Sequence, residues 1–229
     1  AEIAWILERL YRTVCQPQSR KLLVVGISLG GNALLRYLGE HGTDARYVSA
    51  AATVSAPLDM RAGGAALSKG FNMVYTRMFL RTLKEKAGAK LDQHPGLYDR
   101  DAMLAARNLG EFDNLVTAPL HGFSDVYDYW TRASSKPVLH EVRVPALVLN
   151  ARNDPFLPGD HLPGPADVSP DVVLDQPLHG GHVGFLRHGS GMRHAAGRID
   201  WMPARILRFF DEVLGRAPQP DSTAEPTHG

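Results

Sequence analysis

Ser28 lies in the pentapeptide Gly26-Ile27-Ser28-Leu29-Gly30, with a glycine two residues before it and another two residues after it. A serine hydroxyl becomes a useful nucleophile when a neutral imidazole takes its proton and a carboxylate orients that imidazole. The sharp strand-to-helix turn that exposes such a serine is expected to need small residues at both glycine positions. The spacing therefore predicts a nucleophilic serine at position 28.

A carboxylate and an imidazole that could complete this chemistry follow later in the chain. Asp154 lies a few residues after an apolar segment and directly before a proline, and His182 follows a later apolar segment and the flexible pair Gly180-Gly181. An aspartate before proline is also common in ordinary turns. Asp59 is the alternative acid and His179 the alternative base. The order along the chain favours Ser28, Asp154 and His182 as catalytic residues.

Four of the ten histidines lie close together in the sequence and raise the question of a metal site. They are His179, His182, His188 and His194. No H-E-x-x-H or comparable ligand spacing accompanies them. We therefore expect no metal.

The elements that must position these residues alternate between strand and helix. Short apolar segments predict strands at residues 22–25, 47–54, 145–150 and 172–174. Helical periodicity follows the first strand from residue 31 to 38 and closes the pattern at residues 201–214. Strands separated by helices predict an α/β fold with a mostly parallel sheet and right-handed crossovers.

The segment from about residue 60 to 135 interrupts this alternation with helical patterns alone, including residues 101–108 and 126–133. We interpret it as a helical cap inserted into the α/β domain. Its Met and aromatic residues are typical of a helical core, but in a cap they could also surround a substrate. The candidate substrate-binding residues are Phe71, Met73, Met78, Phe79, Phe123, Tyr127 and Trp130.

Composition excludes several classes of function. The formal net charge of +1 gives no electrostatic footprint for nucleic acid or an anionic membrane. No apolar run reaches the roughly 18 residues of a membrane-spanning helix. Cys15 is the single cysteine, which rules out an intramolecular disulfide and suits a reducing compartment. We expect a cytoplasmic protein, and the sequence leaves its oligomeric state open.

A resemblance to a known family rests on motifs spread through the chain from about residue 22 to 210. They are residues 26–32, Ser55-Ala56-Pro57, Lys69-Gly70-Phe71, Glu111-Phe112-Asp113, His121-Gly122-Phe123, Asp128-Tyr129-Trp130, residues 153–156 and residues 180–185. In this combination the chain resembles the YheT-like branch of the α/β-hydrolase superfamily. The resemblance implies an esterase acting on short- or medium-chain acyl esters or monoacylglycerol-type lipids, without a cofactor. It implies Ser28 as nucleophile, Asp154 as acid and His182 as base, with the Leu29 N–H in the oxyanion hole.

The front of the chain departs from this family. Four strands and a His-Gly loop that donates to the oxyanion should precede residue 1, and residues 1–11 already read as an amphipathic helix. We therefore expect the N-terminal part of the sheet to be missing and the strand before Ser28 to form an open edge. His121-Gly122 falls within the cap, and we interpret His121 as structural. The predicted domain covers residues 1–217, followed by a disordered tail at residues 218–229.

Two other functions remain open at the level of sequence. The same three residues could cleave an amide or a thioester. A hydrolase-fold protein could also bind a small ligand or a partner without turnover.

Overall fold

The computed structural model describes residues 2–185 and 201–215, and its centre is one parallel sheet of four strands. The strands are β1 (Leu22–Ile27), β2 (Val48–Val54), β3 (Ala146–Leu149) and β4 (Val172–Asp175), hydrogen-bonded in the order β1-β2-β3-β4. Strands that are sequential and parallel need crossover connections, which helices supply from β1 to β2 and from β2 to β3 and a long loop supplies from β3 to β4. The predicted α/β fold and its four strands are confirmed, with strand ends shifted by two residues or fewer.

Helices precede β1, connect β1 to β2, and make up most of the predicted cap between β2 and β3, whereas β3 and β4 are joined by a loop with two short 3-10 turns. The helices are α1 (Glu2–Leu10), α2 (Leu29–His41), α3 (Met60–Leu67), α4 (Met73–Gln93), α5 (Arg100–Ala105), α6 (Leu109–Phe112), α7 (Ala118–Leu120), α8 (Val126–Ala133) and α9 (Trp201–Val213). Elements α3 to α8 lie between β2 and β3. The predicted helix at residues 101–108 ends earlier because the Asn108 side chain accepts a hydrogen bond from the Glu111 N–H, 2.9 Å, and begins α6 instead.

Apolar residues cover both faces of the sheet. On one face, Leu35 and Leu38 of α2 pack with Val148 of β3. On the other face, Leu147 and Leu149 of β3 pack with aromatic residues of α9. Successive side chains of a strand point to opposite faces, so one four-residue strand contributes to both clusters. This two-sided burial is the arrangement that parallel sheets require.

The first helix packs less completely than its sequence pattern predicts. Leu7 is buried in the core beside α2, and Ile3 packs against the same cluster. Ile6 and Leu10 are nearly half exposed, although they belong to the same apolar stripe. In the part of the chain that the structure describes, only one side of α1 has an apolar neighbour.

Strand β1 is an edge strand within the described residues, because it pairs with β2 alone. Val25 and Ile27 of this strand are 46% and 50% exposed. An exposed apolar edge carries unpaired backbone donors and acceptors that can pair with another strand. The open edge agrees with the expectation from the sequence.

Two further predictions concern membrane-spanning helices and the C-terminal tail. None of the helices in the described ranges is long and apolar enough to cross a membrane. The predicted tail at residues 218–229 lies outside the described residues.

Candidate active site

Ser28 occupies the turn between β1 and α2 in a backbone conformation that few residues other than glycine adopt, with φ of 51° and ψ of −126°. Its N–H donates to the Val54 carbonyl oxygen at 2.8 Å. Its own carbonyl oxygen accepts from Gly31 and Asn32 in the first turn of α2, at 2.9 and 3.2 Å. The strained turn is therefore held by β2 on one side and by the helix on the other.

The glycines around Ser28 do not contribute equally to this turn. A Cβ atom at Gly26 would stand 2.7 Å from the Gly31 Cα atom, and a Cβ at Gly31 would stand 3.0 Å from the Gly26 carbonyl oxygen. A Cβ at Gly30 would meet no heavy atom within 4 Å. The expectation that Gly30 must be small is wrong for the described structure. The close approach of strand and helix instead requires Gly26 and Gly31.

His182 lies between Ser28 and Asp154. Its Nε2 is 3.1 Å from the Ser28 Oγ, and its Nδ1 is 3.0 Å from the Asp154 Oδ2. The Asp154 side chain is 1% exposed and the His182 side chain 19% exposed. The structure brings the three predicted residues together within hydrogen-bonding distance, and the His182 side chain stays partly exposed.

The turn after β3 fixes the carboxylate and helps to hold the histidine loop. Asp154 Oδ1 accepts a hydrogen bond from the Phe156 N–H at 2.9 Å, which closes a local turn. The neighbouring Asn153 Oδ1 accepts from the N–H groups of Gly180 and Gly181 at 3.0 and 2.9 Å. Consecutive residues of one turn therefore contact His182 and the backbone that leads to it.

The alternative acid and the alternative base, Asp59 and His179, form no hydrogen bond to Ser28 in the part of the chain that the structure describes. Asp59 accepts from the Ala62 N–H at 3.0 Å as the N-cap of α3, and its other oxygen is 3.5 Å from His161. His179 is exposed, and its side chain has no hydrogen bond to Ser28 or Asp154 within the described residues. His121 is an exposed residue that directly follows α7 within the cap, and its predicted structural role stays a prediction.

The comparison with known proteins decides the family. The family model described as alpha/beta hydrolase fold matches residues 2–189. The chain belongs to the α/β-hydrolase family. Two of the histidines that raised the metal question, His188 and His194, lie outside the described residues, so the structure does not test the expectation of no metal.

Several relatives carry names of ester-cleaving enzymes. The chain is 36% identical to the candidate esterase YheT of Escherichia coli (strain K12), over 93% of this chain and 61% of that protein. It is 34% identical to the phospholipase ABHD3 of Homo sapiens over 73% of this chain and 41% of that protein. A monoacylglycerol lipase of Saccharomyces cerevisiae is 28% identical over 89% of this chain and 46% of that protein. The predicted resemblance to the YheT-like branch is confirmed, and the chain spans less than two thirds of each relative's length.

The N-terminus of α2 supplies a candidate donor for a developing negative charge. Leu29 is the first residue of α2, so its N–H has no acceptor within the helix. The helix dipole adds partial positive charge at the same place. A carbonyl oxygen above Ser28 would therefore find a hydrogen-bond donor in the Leu29 N–H, the donor that the resemblance implies.

Aromatic rings form one wall next to His182. The Phe156 ring centroid lies 4.1 Å from the His182 ring centroid. Tyr75 and Phe79 of α4 contact the Phe156 ring edge-on at 5.0 and 5.9 Å, and Phe71 contacts Tyr75 at 6.3 Å. Phe71 and Phe79 are therefore connected to His182 through other rings.

Sequence reasoning did not assign Tyr75 or Phe156 to the site. Phe156 follows the candidate acid Asp154 by two residues, and this closeness in sequence could have indicated that it lies at the site. Tyr75 lies four residues before Phe79, on the same side of the predicted helix.

The other predicted substrate residues are not brought to the triad, by which we mean Ser28, His182 and Asp154. Trp130 is buried, donates from its Nε1 to the Asp113 Oδ2 at 2.9 Å, and packs so closely on Gly64 that a Cβ there would stand 2.3 Å from the ring. Tyr127 lies under the Arg61 guanidinium. Both residues line a cavity of about 1120 Å³ between α3, α6 and α8, and no triad residue lines it.

The remaining three positions also differ from the prediction or stay untested. Phe123 packs on Tyr129 and under Arg132. Met78 is 63% exposed, and Met73 is half-buried at the start of α4. For Phe123, Tyr127 and Trp130 the physical reason is the same: each ring is engaged by cap residues rather than by the turn that holds Asp154.

One buried carboxylate in the cap has a shifted pKa. Burial raises the pKa of Asp113, and the hydrogen bonds from Thr117 and Trp130 oppose part of that rise. Burial also raises the pKa of Tyr129 to about 12, with a further contribution from the nearby Asp113 charge. Asp113 lies directly after α6 and is hydrogen-bonded to Trp130 of α8. It therefore stabilises the packing of the cap.

Proposed function

We propose that this protein is a serine hydrolase that cleaves carboxylic esters through an acyl-enzyme. The single observation that supports the proposal most strongly is the line of contacts from Ser28 Oγ to His182 Nε2 and from His182 Nδ1 to Asp154 Oδ2. A hydroxyl, an imidazole and a buried carboxylate in this order suit nucleophilic catalysis.

The proton transfers follow from these contacts. His182 Nε2 takes the Ser28 hydroxyl proton as the oxygen attacks the ester carbonyl carbon. The Asp154 carboxylate accepts the Nδ1–H, which keeps Nε2 available as a base and stabilises the imidazolium that forms. The imidazolium then protonates the leaving alcohol, and a water molecule activated by His182 hydrolyses the acyl-enzyme.

The negative charge that develops on the carbonyl oxygen needs a donor that is already in place. We assign the Leu29 N–H to this role because it follows the nucleophile at the start of α2. Loss of one such donor typically costs about 2.7–4 kcal/mol of transition-state stabilisation.

The substrate class rests on apolar surface near the triad and on the relatives. Phe71, Tyr75, Phe79 and Phe156 offer an aromatic surface that an acyl chain could contact beside His182. Relatives bear the names esterase, monoacylglycerol lipase and phospholipase. Short- or medium-chain acyl esters, including monoacylglycerols, are the substrates that we propose.

Covalent labelling combined with turnover tests this proposal. A fluorophosphonate should label the purified protein at Ser28, as shown by mass spectrometry of the peptide, and the protein should hydrolyse p-nitrophenyl butyrate. Ser28→Ala should lose both. The matched control is Ser135→Ala, which removes a buried hydroxyl without a hydrogen-bond partner among the described residues and should keep both. Ester binding without labelling or turnover would favour a non-catalytic binding protein.

A further inference from the structure

Ser55 follows β2 directly and has an unusual backbone conformation. Its φ is 51°, in the left-handed region, and the residue is 2% exposed. Its N–H donates to the Leu149 carbonyl oxygen at 2.8 Å, so β3 fixes its backbone. A buried residue other than glycine persists in this conformation when its surroundings demand it.

The Ser55 hydroxyl contacts the loop that carries His182. Its Oγ accepts a hydrogen bond from the Val183 N–H at 3.1 Å, across 128 positions of sequence. Val183 has a φ of 70°, which is rare for a β-branched residue, and it packs partly buried against the core. The bond therefore holds a strained residue immediately after the catalytic base.

The same end of β2 also contacts the nucleophile. The Val54 carbonyl oxygen accepts the Ser28 N–H at 2.8 Å, and Ser55 is the next residue. Val54 thus binds the backbone of the nucleophile, and Ser55 binds the backbone next to the base. Consecutive residues at the end of one strand therefore contact the chain on both sides of the Ser28–His182 hydrogen bond.

We propose that Ser55 is a positioning residue whose hydroxyl, through Val183, keeps His182 Nε2 directed at the Ser28 Oγ. The inference rests on the proposed function, because it concerns the same triad. Asn153 holds the loop before His182 through Gly180 and Gly181, and Ser55 holds it after His182. Loss of the Ser55 hydroxyl leaves the Val183 N–H without its acceptor and lets the imidazole move.

Two substitutions separate the hydroxyl from the backbone conformation. Ser55→Ala removes the Oγ and leaves a side chain at positive φ, whereas Ser55→Gly removes the Oγ and adopts that φ without strain. Both should lower kcat for p-nitrophenyl butyrate by roughly 10-fold to 10²-fold with KM nearly unchanged, as expected when a reacting group is misplaced. Ser135→Ala is the matched control and should keep the wild-type kcat.

Hydrogen–deuterium exchange gives a readout independent of turnover. The Val183 amide hydrogen should exchange faster in Ser55→Gly than in the wild type, while the amides of β3 keep their protection. Folded Ser55→Gly with wild-type kcat, or with unchanged Val183 exchange, would overturn the inference. If Ser28→Ala retained turnover as well, the proposed function itself would be wrong, so the two failures are distinguishable.

Discussion

His182 Nε2 lies 3.1 Å from Ser28 Oγ, although the two residues are 154 positions apart in the chain. Ser28 follows β1, at one edge of the described sheet, and His182 follows β4, at the other edge. The carboxyl ends of parallel strands lie on the same side of a sheet, so a loop after β4 can return across it to β1. The distance between these two atoms is thus a property of the whole sheet.

The carboxylate of Asp154 should be needed for the correct imidazole tautomer. Asp154→Asn keeps the size of the side chain and removes its charge, so it should lower kcat by about 10⁴-fold while KM changes little. Steady-state kinetics with p-nitrophenyl butyrate measures this. The matched control is Asp59→Asn, at the N-cap of α3, which should keep most of the activity. An equal loss of kcat in both variants would contradict the assignment of Asp154 as the acid.

The glycines of the turn should differ sharply in tolerance. Gly26→Ala and Gly31→Ala place a Cβ within about 3 Å of backbone atoms, and such overpacking typically costs about 1–3 kcal/mol. Gly30→Ala meets no atom and lies in the first turn of α2, where alanine favours the helix, so it should keep or slightly raise stability. Urea unfolding of the three variants compares them directly. A strongly destabilised Gly30→Ala variant would contradict the described packing.

The buried Asp113 should give stability a specific pH dependence. Because burial raises its folded-state pKa above the ordinary value of about 3.9, the folded protein binds more protons than the unfolded chain between these two values. Its contribution to the free energy of unfolding therefore falls as pH rises through that window and is constant above it. Tyr129, whose pKa is raised to about 12, stays neutral throughout.

Asp113→Asn tests this dependence. The amide oxygen can still accept from the Trp130 N–H, and the amide nitrogen can donate to Thr117. The difference in free energy of unfolding between the variant and the wild type should therefore change in favour of the variant as pH rises from 4 to 7. Urea unfolding at a series of pH values measures it. A difference that is constant with pH would show that Asp113 titrates at its ordinary pKa.

The sequence predicted the parts of the fold that depend on local pattern. The strand before Ser28 and the helix after it have clear periodicity, and the order of Ser28, Asp154 and His182 matches their positions after β1, β3 and β4. The aromatic wall could not be predicted in the same way. Trp130 and Phe156 are both aromatic residues within motifs that carry the resemblance. Only the three-dimensional path of the chain places Trp130, between β2 and β3, on Asp113 and Phe156, after β3, on His182. Similarly, the distinction between Gly30 and Gly31 depends on how closely α2 approaches β1.

Phe156 should influence which acyl chains are used. Phe156→Ala removes the ring between α4 and His182, so kcat/KM should fall more for p-nitrophenyl octanoate than for p-nitrophenyl acetate. Phe123→Ala is the matched control, because the Phe123 ring packs on Tyr129 and Arg132. This variant should change kcat/KM for the two esters by the same factor. If the ratio of kcat/KM for the octanoate to kcat/KM for the acetate is the same in Phe156→Ala as in the wild type, this ring is not part of the acyl-binding surface.

The identity of the general base is the most direct test of the whole account. We predict that His182→Ala and Ser28→Ala each lower kcat/KM for p-nitrophenyl butyrate by about 10⁴- to 10⁶-fold, and that the double variant loses little more because the residues act as a unit. His179→Ala, three residues away and exposed, should stay within a few-fold of the wild type. Activity that survives in His182→Ala but disappears in His179→Ala would contradict the account.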